Sequence, residues 1–289
     1  MLFQQVLNGL VAGGIYAMVA LGLTLIFGIM RVPNFAHGTT YMIGAYFTYF
    51  IIERLEVNLF LGISLAFVLV AVLGFLIEKV VFKPVSNRPT MDAFIIALGL
   101  WVVMENVALY LWGPETRIIS GGYGDKVIRF LTLTITVNRI IILVGSIVLI
   151  LAIYLFIKKT KYGKAMQAVA EDKIASALVG ISPRRVLGFT FAIGSGLAAA
   201  AGGLVGSSFS IFPEMGGMPI LKAFCAIVLG GMGSVSGAIF GSFILGLAES
   251  LGAAYITSSY KDAFAFFILI TVLIIRPHGL LGKEEEERR

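Results

Sequence analysis

The sequence predicts an all-α, polytopic membrane protein with eight to nine transmembrane segments, and three observations carry that prediction. Apolar residues make up 58% of the chain and charged residues 13%, with a mean hydropathy of +0.97. Soluble proteins average about 45–50% apolar and about 25% charged. Long apolar runs recur from end to end, and a bilayer core of about 30 Å needs roughly 20 helical residues. The 34 glycines follow no collagen-type period; membrane helices use glycine to bring backbones together. So few charges cannot cover a globular surface made from 289 residues. Ordinary soluble, secreted and disordered classes are thereby excluded.

The runs are 7–29, 38–53, 59–81, 92–112, 139–157, 187–210, 220–252 and 262–276. The first has no Lys or Arg before Arg31, so it lacks the basic start of a signal peptide and is expected to be retained. The next five each read as one crossing. The run 220–252 is too long for one and is interrupted at Gly230-Gly231-Met232-Gly233-Ser234. It divides into a short segment, 220–231, which crosses or re-enters, and a full helix, 235–252. The basic stretch from Lys158 to Arg185 makes the 158–186 loop cytoplasmic by the positive-inside rule. Parity then sets the N-terminus outside and, with the split, the C-terminus inside, so that most of the 22 Lys and Arg residues are cytoplasmic. Pro33-Asn34-Phe35-Ala36-His37-Gly38 and Phe212-Pro213-Glu214-Met215-Gly216-Gly217 occupy corresponding places on opposite sides. That is the relation an inverted repeat produces, with helices one to four and six to nine as its halves.

Catalytic chemistry is missing from the sequence. His37 and His278 lie in different loops and cannot form an H-E-x-x-H metal site. The single cysteine, Cys225, has no disulfide or thiolate partner and reads as a packing residue. No G-x-x-x-x-G-K-[ST] phosphate loop occurs, so any ATP must be bound by another subunit. The chain is read as no enzyme, with no cofactor and no metal of its own. Its net charge of +6 sits in short loops as a topology signal rather than as a nucleic-acid surface. The mixed-charge tail 283–289 reads as a solvated end.

Ionisable residues inside apolar runs are few: Glu105, beside Asn106, and Glu249. Both carboxylates fall toward the outer ends of their helices, where snorkelling explains them as well as a pathway role does. Pro33-Asn34 and Pro213-Glu214 break helices, which a membrane tolerates only inside protein or beside water. Asn34, His37, Thr39, Glu105, Asn106 and Glu214 are therefore the pathway or gate candidates. The glycine-rich helix faces read as packing surfaces that also permit helices to slide.

Between Lys164 and Val179, Ala165, Met166, Val169, Ala170, Ile174, Ala177 and Leu178 recur at helical spacing, and Gly180 with Pro183 stops the pattern. The spacing predicts one amphipathic helix in the cytoplasmic loop. Its apolar face is mostly alanine, which suits close packing against a partner better than a lipid anchor. With this stretch, Gly22-Leu23-Thr24-Leu25-Ile26-Phe27-Gly28, Pro33 to Gly38, Gly230 to Ser234 and Arg276-Pro277-His278-Gly279-Leu280-Leu281-Gly282, the chain resembles the permease subunits of branched-chain amino acid ABC importers. The resemblance implies one transmembrane permease domain over 1–289, with the 158–186 loop carrying a coupling helix that seats on an ATPase subunit. Met166, Val169, Ala170, Glu171, Asp172, Ala175, Ser176 and Gly180 would make that contact. The importer pattern Glu-Ala-Ala-x-x-x-Gly appears here as Ile174-Ala175-Ser176 followed by Gly180, without the glutamate. The resemblance further implies a second permease subunit, two P-loop ATPases that bind ATP, an extracytoplasmic solute-binding protein and a prokaryotic cell membrane. Leu, Ile and Val are the implied cargo, and urea or short amides are the alternative. An ATP-independent channel or proton-coupled carrier is the competing class; the sparse buried carboxylates argue against it.

Overall fold

Every apolar run of the sequence becomes helix in the computed structural model, which describes residues 2–86, 88–119, 126–130, 133–257, 260–276 and 279–281. The helices are α1 (Leu2–Met30), α2 (His37–Leu55), α3 (Leu59–Ile77), α4 (Thr90–Trp112), α5 (Val137–Lys159), α6 (Lys161–Glu171), α7 (Lys173–Leu178), α8 (Pro183–Gly206), α9 (Gly217–Gly230), α10 (Val235–Tyr255) and α11 (Lys261–Ile275). Pro277, His278 and the charged tail lie outside the described residues. Among the described residues, six helices are long and apolar enough to cross a membrane: Leu2–Met30, Leu59–Val85, Thr90–Trp112, Val137–Lys159, Pro183–Gly206 and Val235–Tyr255. α9 and α11 are shorter apolar helices, and Thr, Tyr, Glu and Arg dilute the apolarity of α2.

Local chemistry sets the boundaries. Asn58 and Ser234 cap α3 and α10 by accepting from the N–H groups of Leu61 and Gly237. Gly113 and Gly231, at φ 77° and 108°, turn the chain out of α4 and α9 in a region that excludes most side chains. α3 does not stop at residue 81 but runs on through a π turn, Glu78–Phe82, and a short 3₁₀ turn, Lys83–Val85. The segment between α4 and α5 is not featureless. It holds an antiparallel hairpin, β1 (Val127–Phe130) with β2 (Leu133–Thr136), in the register Val127↔Thr136.

α1 and α8 form the centre. Each is 78% buried over its most apolar window, whereas α4 is 11% buried and peripheral. α1 packs along α10 with Gly9 and Gly13 against Leu247 and Phe243, and α8 packs along α3 with Gly196 against Phe67. Such approaches replace the hydrophobic effect, which lipid tails cancel, with van der Waals contact between backbones. The outer faces of α3, α4 and α5 expose Val68, Val103 and Leu151, as a lipid-facing surface does.

The single amphipathic helix expected in the 158–186 loop is two helices. Asp172 adopts an extended backbone, and its carboxylate accepts from the N–H groups of Ile174 (2.8 Å) and Ala175 (3.0 Å). Aspartate competes with the helix ladder in this way, which makes it a better cap than an interior residue. Asp172→Ala is expected to destabilise α7 by about 1 kcal/mol. Amide hydrogen exchange over 173–178 should quicken while the long helices stay unchanged.

Candidate functional site

The two proline-interrupted segments meet. The chain leaves α1 at Arg31, which takes a left-handed φ of 57°, and starts α2 at His37; it leaves α8 and starts α9 at Gly217. The first turns of α2 and α9 touch at Gly38 and Gly216. A Cβ built on Gly38 would stand 2.7 Å from the carbonyl oxygen of Gly216, and one on Gly216 would strike the Gly38 carbonyl. Close by, Gly22 of α1 and Gly194 of α8 make a second mutual contact, with each carbonyl oxygen 2.7–3.0 Å from the other's Cβ position. His37 is 1% exposed, with its Nε2 2.6 Å from that same point on Gly22.

The pathway candidates from this region gather here with one exception. Asn34 is buried, its carbonyl accepts from His37 N–H, and its Oδ1 finds no hydrogen-bond partner among the described residues. The Thr39 hydroxyl donates to Ala36 O (2.6 Å) and lies 3.3 Å from Met104 Sδ of α4. Glu105, one residue on, is half-buried and lies within electrostatic range of Glu214, which is exposed. Trp101 covers Gly217 and stacks on Phe35, whose ring also meets Phe94 and Phe224. Asn106 is the exception: it is exposed and donates its amide to its own helix at Val102 O, 2.8 Å. Two carboxylates and an aromatic cluster thus lie around the place where two helices begin.

The residues expected to dock divide into two groups. Met166 and Val169 point inward and pack with Ile29 and Val186, fastening α6 to α1 and α8. Ser176 is buried as well. Ala175, Glu171, Asp172 and Gly180 are exposed, but the larger apolar surface belongs to three residues left out of the expected contact set. Ile174, Leu178 and Val179 are 76%, 84% and 75% exposed. Gly180, at φ 85°, ends the helix with open space around it. Partial burial first, and the Arg31 guanidinium second, hold the Lys173 ammonium below the ordinary lysine range. The signal for the patch was present in the sequence, as Ile, Leu and Val at helical spacing. Reading 164–179 as one helix hid it, because the face turns at Asp172.

On the opposite end, two loops join. Arg117 and Ile211 exchange backbone hydrogen bonds of 2.9 and 2.7 Å. The Arg117 guanidinium lies over Tyr49 and Phe50 and donates to Trp112 O.

Sequence reasoning also missed a buried charge network. Lys222 of α9, 7% exposed, donates to Glu249 Oε1 of α10 (2.6 Å) and pairs with Asp262 Oδ1 at the start of α11 (2.6 Å). The Tyr16 hydroxyl of α1 donates to Glu249 Oε2 (2.7 Å). Glu249 is 0% exposed, so it does not snorkel. Its carboxylate is held by protein instead, because burial of a charge requires a partner. Lys222 in an otherwise apolar run was the available signal.

Comparison with known proteins agrees with this architecture. Residues 5–273 match the family described as the branched-chain amino acid transport system / permease component. The high-affinity branched-chain amino acid transport system permease protein LivH of Escherichia coli K12 is 38% identical, over 99% of this chain and 97% of its own. BraD of Pseudomonas aeruginosa, named for the same transport role, is 33% identical with the same coverage. Among solved structures, PsaBC from Streptococcus pneumoniae in complex with Fab matches 94% of this chain and 91% of its own, with a TM-score of 0.51 and 13% identity, which is a likeness of fold alone. LivH and BraD are transport permease components and not enzymes. A multi-pass, predominantly helical chain matched over nearly its whole length belongs to the family of branched-chain amino acid transport permease components.

Proposed function

We propose that this chain is the membrane-spanning permease subunit of an ABC importer that carries branched-chain amino acids inward. The observation that carries the reading is similarity over 99% of the chain to LivH and BraD. ATP is bound by partner ATPase subunits, and the driving energy reaches this chain as motion through α6 and α7. The exposed Ile174, Leu178 and Val179 supply an apolar docking face, while Met166 and Val169 transmit its movement to the inner ends of α1 and α8. A second permease subunit completes the membrane part. The joined loops around Arg117 and Ile211 form the face for an extracytoplasmic binding protein, with the N-terminus outside and the C-terminus cytoplasmic.

The chain is built as an inverted repeat of α1–α4 and α8–α11, with α5 as connector and nine crossings, α9 being the short one. What supports this is an exchange of partners: α1 lies along α10 as α8 lies along α3, and α2 meets α3 as α9 meets α10. The self-matched contacts Gly22–Gly194 and Gly38–Gly216 mark where a two-fold axis would pass. The gate is then the crossing of α2 and α9, lined by Asn34, His37, Thr39, Glu105 and Glu214.

Vesicles holding the assembled importer are expected to take up labelled leucine only with ATP and the binding protein. Uptake without ATP would move the chain to the carrier class. ATP-driven uptake of urea but not leucine would overturn the cargo.

A further inference from the structure

The Lys222 network joins α1, α9, α10 and α11 at one point, and neither docking nor the α2–α9 crossing uses it. Its geometry is asymmetric. The Lys222 ammonium has three hydrogens, directed to Glu249 Oε1 at 2.6 Å, Asp262 Oδ1 at 2.6 Å and Tyr16 OH at 3.2 Å. Two carboxylates therefore share one cation. The Glu249 side chain is 0% exposed, and its second oxygen accepts from Tyr16, while the Asp262 side chain is 54% exposed. Parting Lys222 from Glu249 would take the cation away from a carboxylate that is wholly out of solvent, which a low-dielectric interior penalises heavily. Parting Lys222 from Asp262 leaves the ammonium neutralised by Glu249 and gives Asp262 to water. Only the second separation is cheap.

The rest of α11 fits a helix held unequally at its ends. Beyond its C-terminus, Leu280 and Leu281 donate backbone hydrogen bonds to Leu229 O and Gly230 O at the end of α9, both 2.9 Å. That end is fixed by main chain. The start of α11 is tied to α9 by Asp262, and just beyond it the helix packs through Phe264 against Gly252 and through the buried Ala265. Lys222 itself sits less than two turns beyond Gly216, where α9 meets α2.

We propose that Lys222 is a positioning residue for transport: with Glu249 as its standing partner it seats α9 against α1 and α10, and with Asp262 it forms a releasable link that frees the start of α11 during the transport cycle. The proposal rests on the permease reading above.

The test uses the chain assembled with its ATPases, second permease and binding protein in lipid vesicles, with uptake of labelled leucine and thermal stability read for each variant. Lys222→Met is expected to lose folded yield, because Glu249 is left buried and charged. Lys222→Met/Glu249→Gln is expected to regain stability but keep uptake at least tenfold below wild type, while Lys222→Arg recovers part of it. Asp262→Asn is expected to keep wild-type stability and change maximal uptake at least threefold with an unchanged KM. A spin label at Phe267→Cys in a Cys225→Ala background should become more mobile when Asp262→Asn is added, and should differ between ATP-bound and ATP-free vesicles of wild type at 262. Full recovery of uptake in the double variant would reduce Lys222 to charge neutralisation and overturn its positioning role. Unchanged uptake and label mobility in Asp262→Asn would overturn the releasable link. If the wild-type assembly moves no amino acid, the permease reading falls, and the stability cycle with the label still judges the network.

Discussion

Gly216→Leu is expected to abolish uptake and to lower the stability of the purified chain by more than about 3 kcal/mol, beyond the usual cost of overpacking. The reason is the nature of the obstacle. A side chain at 216 meets the Gly38 main chain, which belongs to the first turn of α2 and cannot swing aside as a side chain would. Relieving the clash means separating the starts of α2 and α9, and with them Phe35 from Phe224. Gly38→Leu should do the same from the other side, since its Cβ would crowd Gly216 O and Ile220. Gly99→Leu is the control: nothing stands within 4 Å of a Cβ there, and stability should hold within about 0.5 kcal/mol. Thermal unfolding of the detergent-solubilised chain separates the three. Wild-type stability in Gly216→Leu would show that the α2–α9 contact is not a structural requirement.

Leu178→Asp is expected to leave the membrane fold intact and to cut co-purification of the ATPase subunits at least tenfold, or about 1.4 kcal/mol or more of binding free energy. Leu178 is 84% exposed, so a charge there is solvated in the free chain and costs little until a partner covers it. Ile174→Asp should behave alike. Met166→Asp should instead destabilise the chain itself, because Met166 is buried among Ile29, Val169 and Val186. Capture of ATPases on immobilised permease, beside a thermal scan of each variant, reads the two effects apart. ATPase retention by both Leu178→Asp and Ile174→Asp would place the docking face elsewhere.

Hydropathy and glycine were enough to place every long helix, because lipid leaves the backbone no alternative to internal hydrogen bonding. The break at 230–234 was legible for the same reason: glycine and serine cannot sustain an apolar crossing, and Ser234 caps the next helix. Three features were not legible. The division of the cytoplasmic helix depends on which of two hydrogen-bond sets Asp172 chooses, and a periodicity count treats that residue as neutral. The β1–β2 hairpin is four residues a side in a polar loop, below the length at which alternation stands out. The Lys222–Glu249 pair lies 27 positions apart along the chain, and two isolated charges on separate helices announce neither burial nor each other. At the crossing, Pro33 and Pro213 pointed to the right segments, but only the fold brings Glu105 on α4 opposite Glu214.

The link between Arg117 and Ile211 is made by main-chain atoms alone, and this frees the outer face to vary. Any non-proline residue pair that keeps extended backbone there preserves the two hydrogen bonds, so substitutions that remodel this surface need not disconnect the α4–α5 loop from the α8–α9 loop. A push on either loop reaches the other whatever side chains receive it.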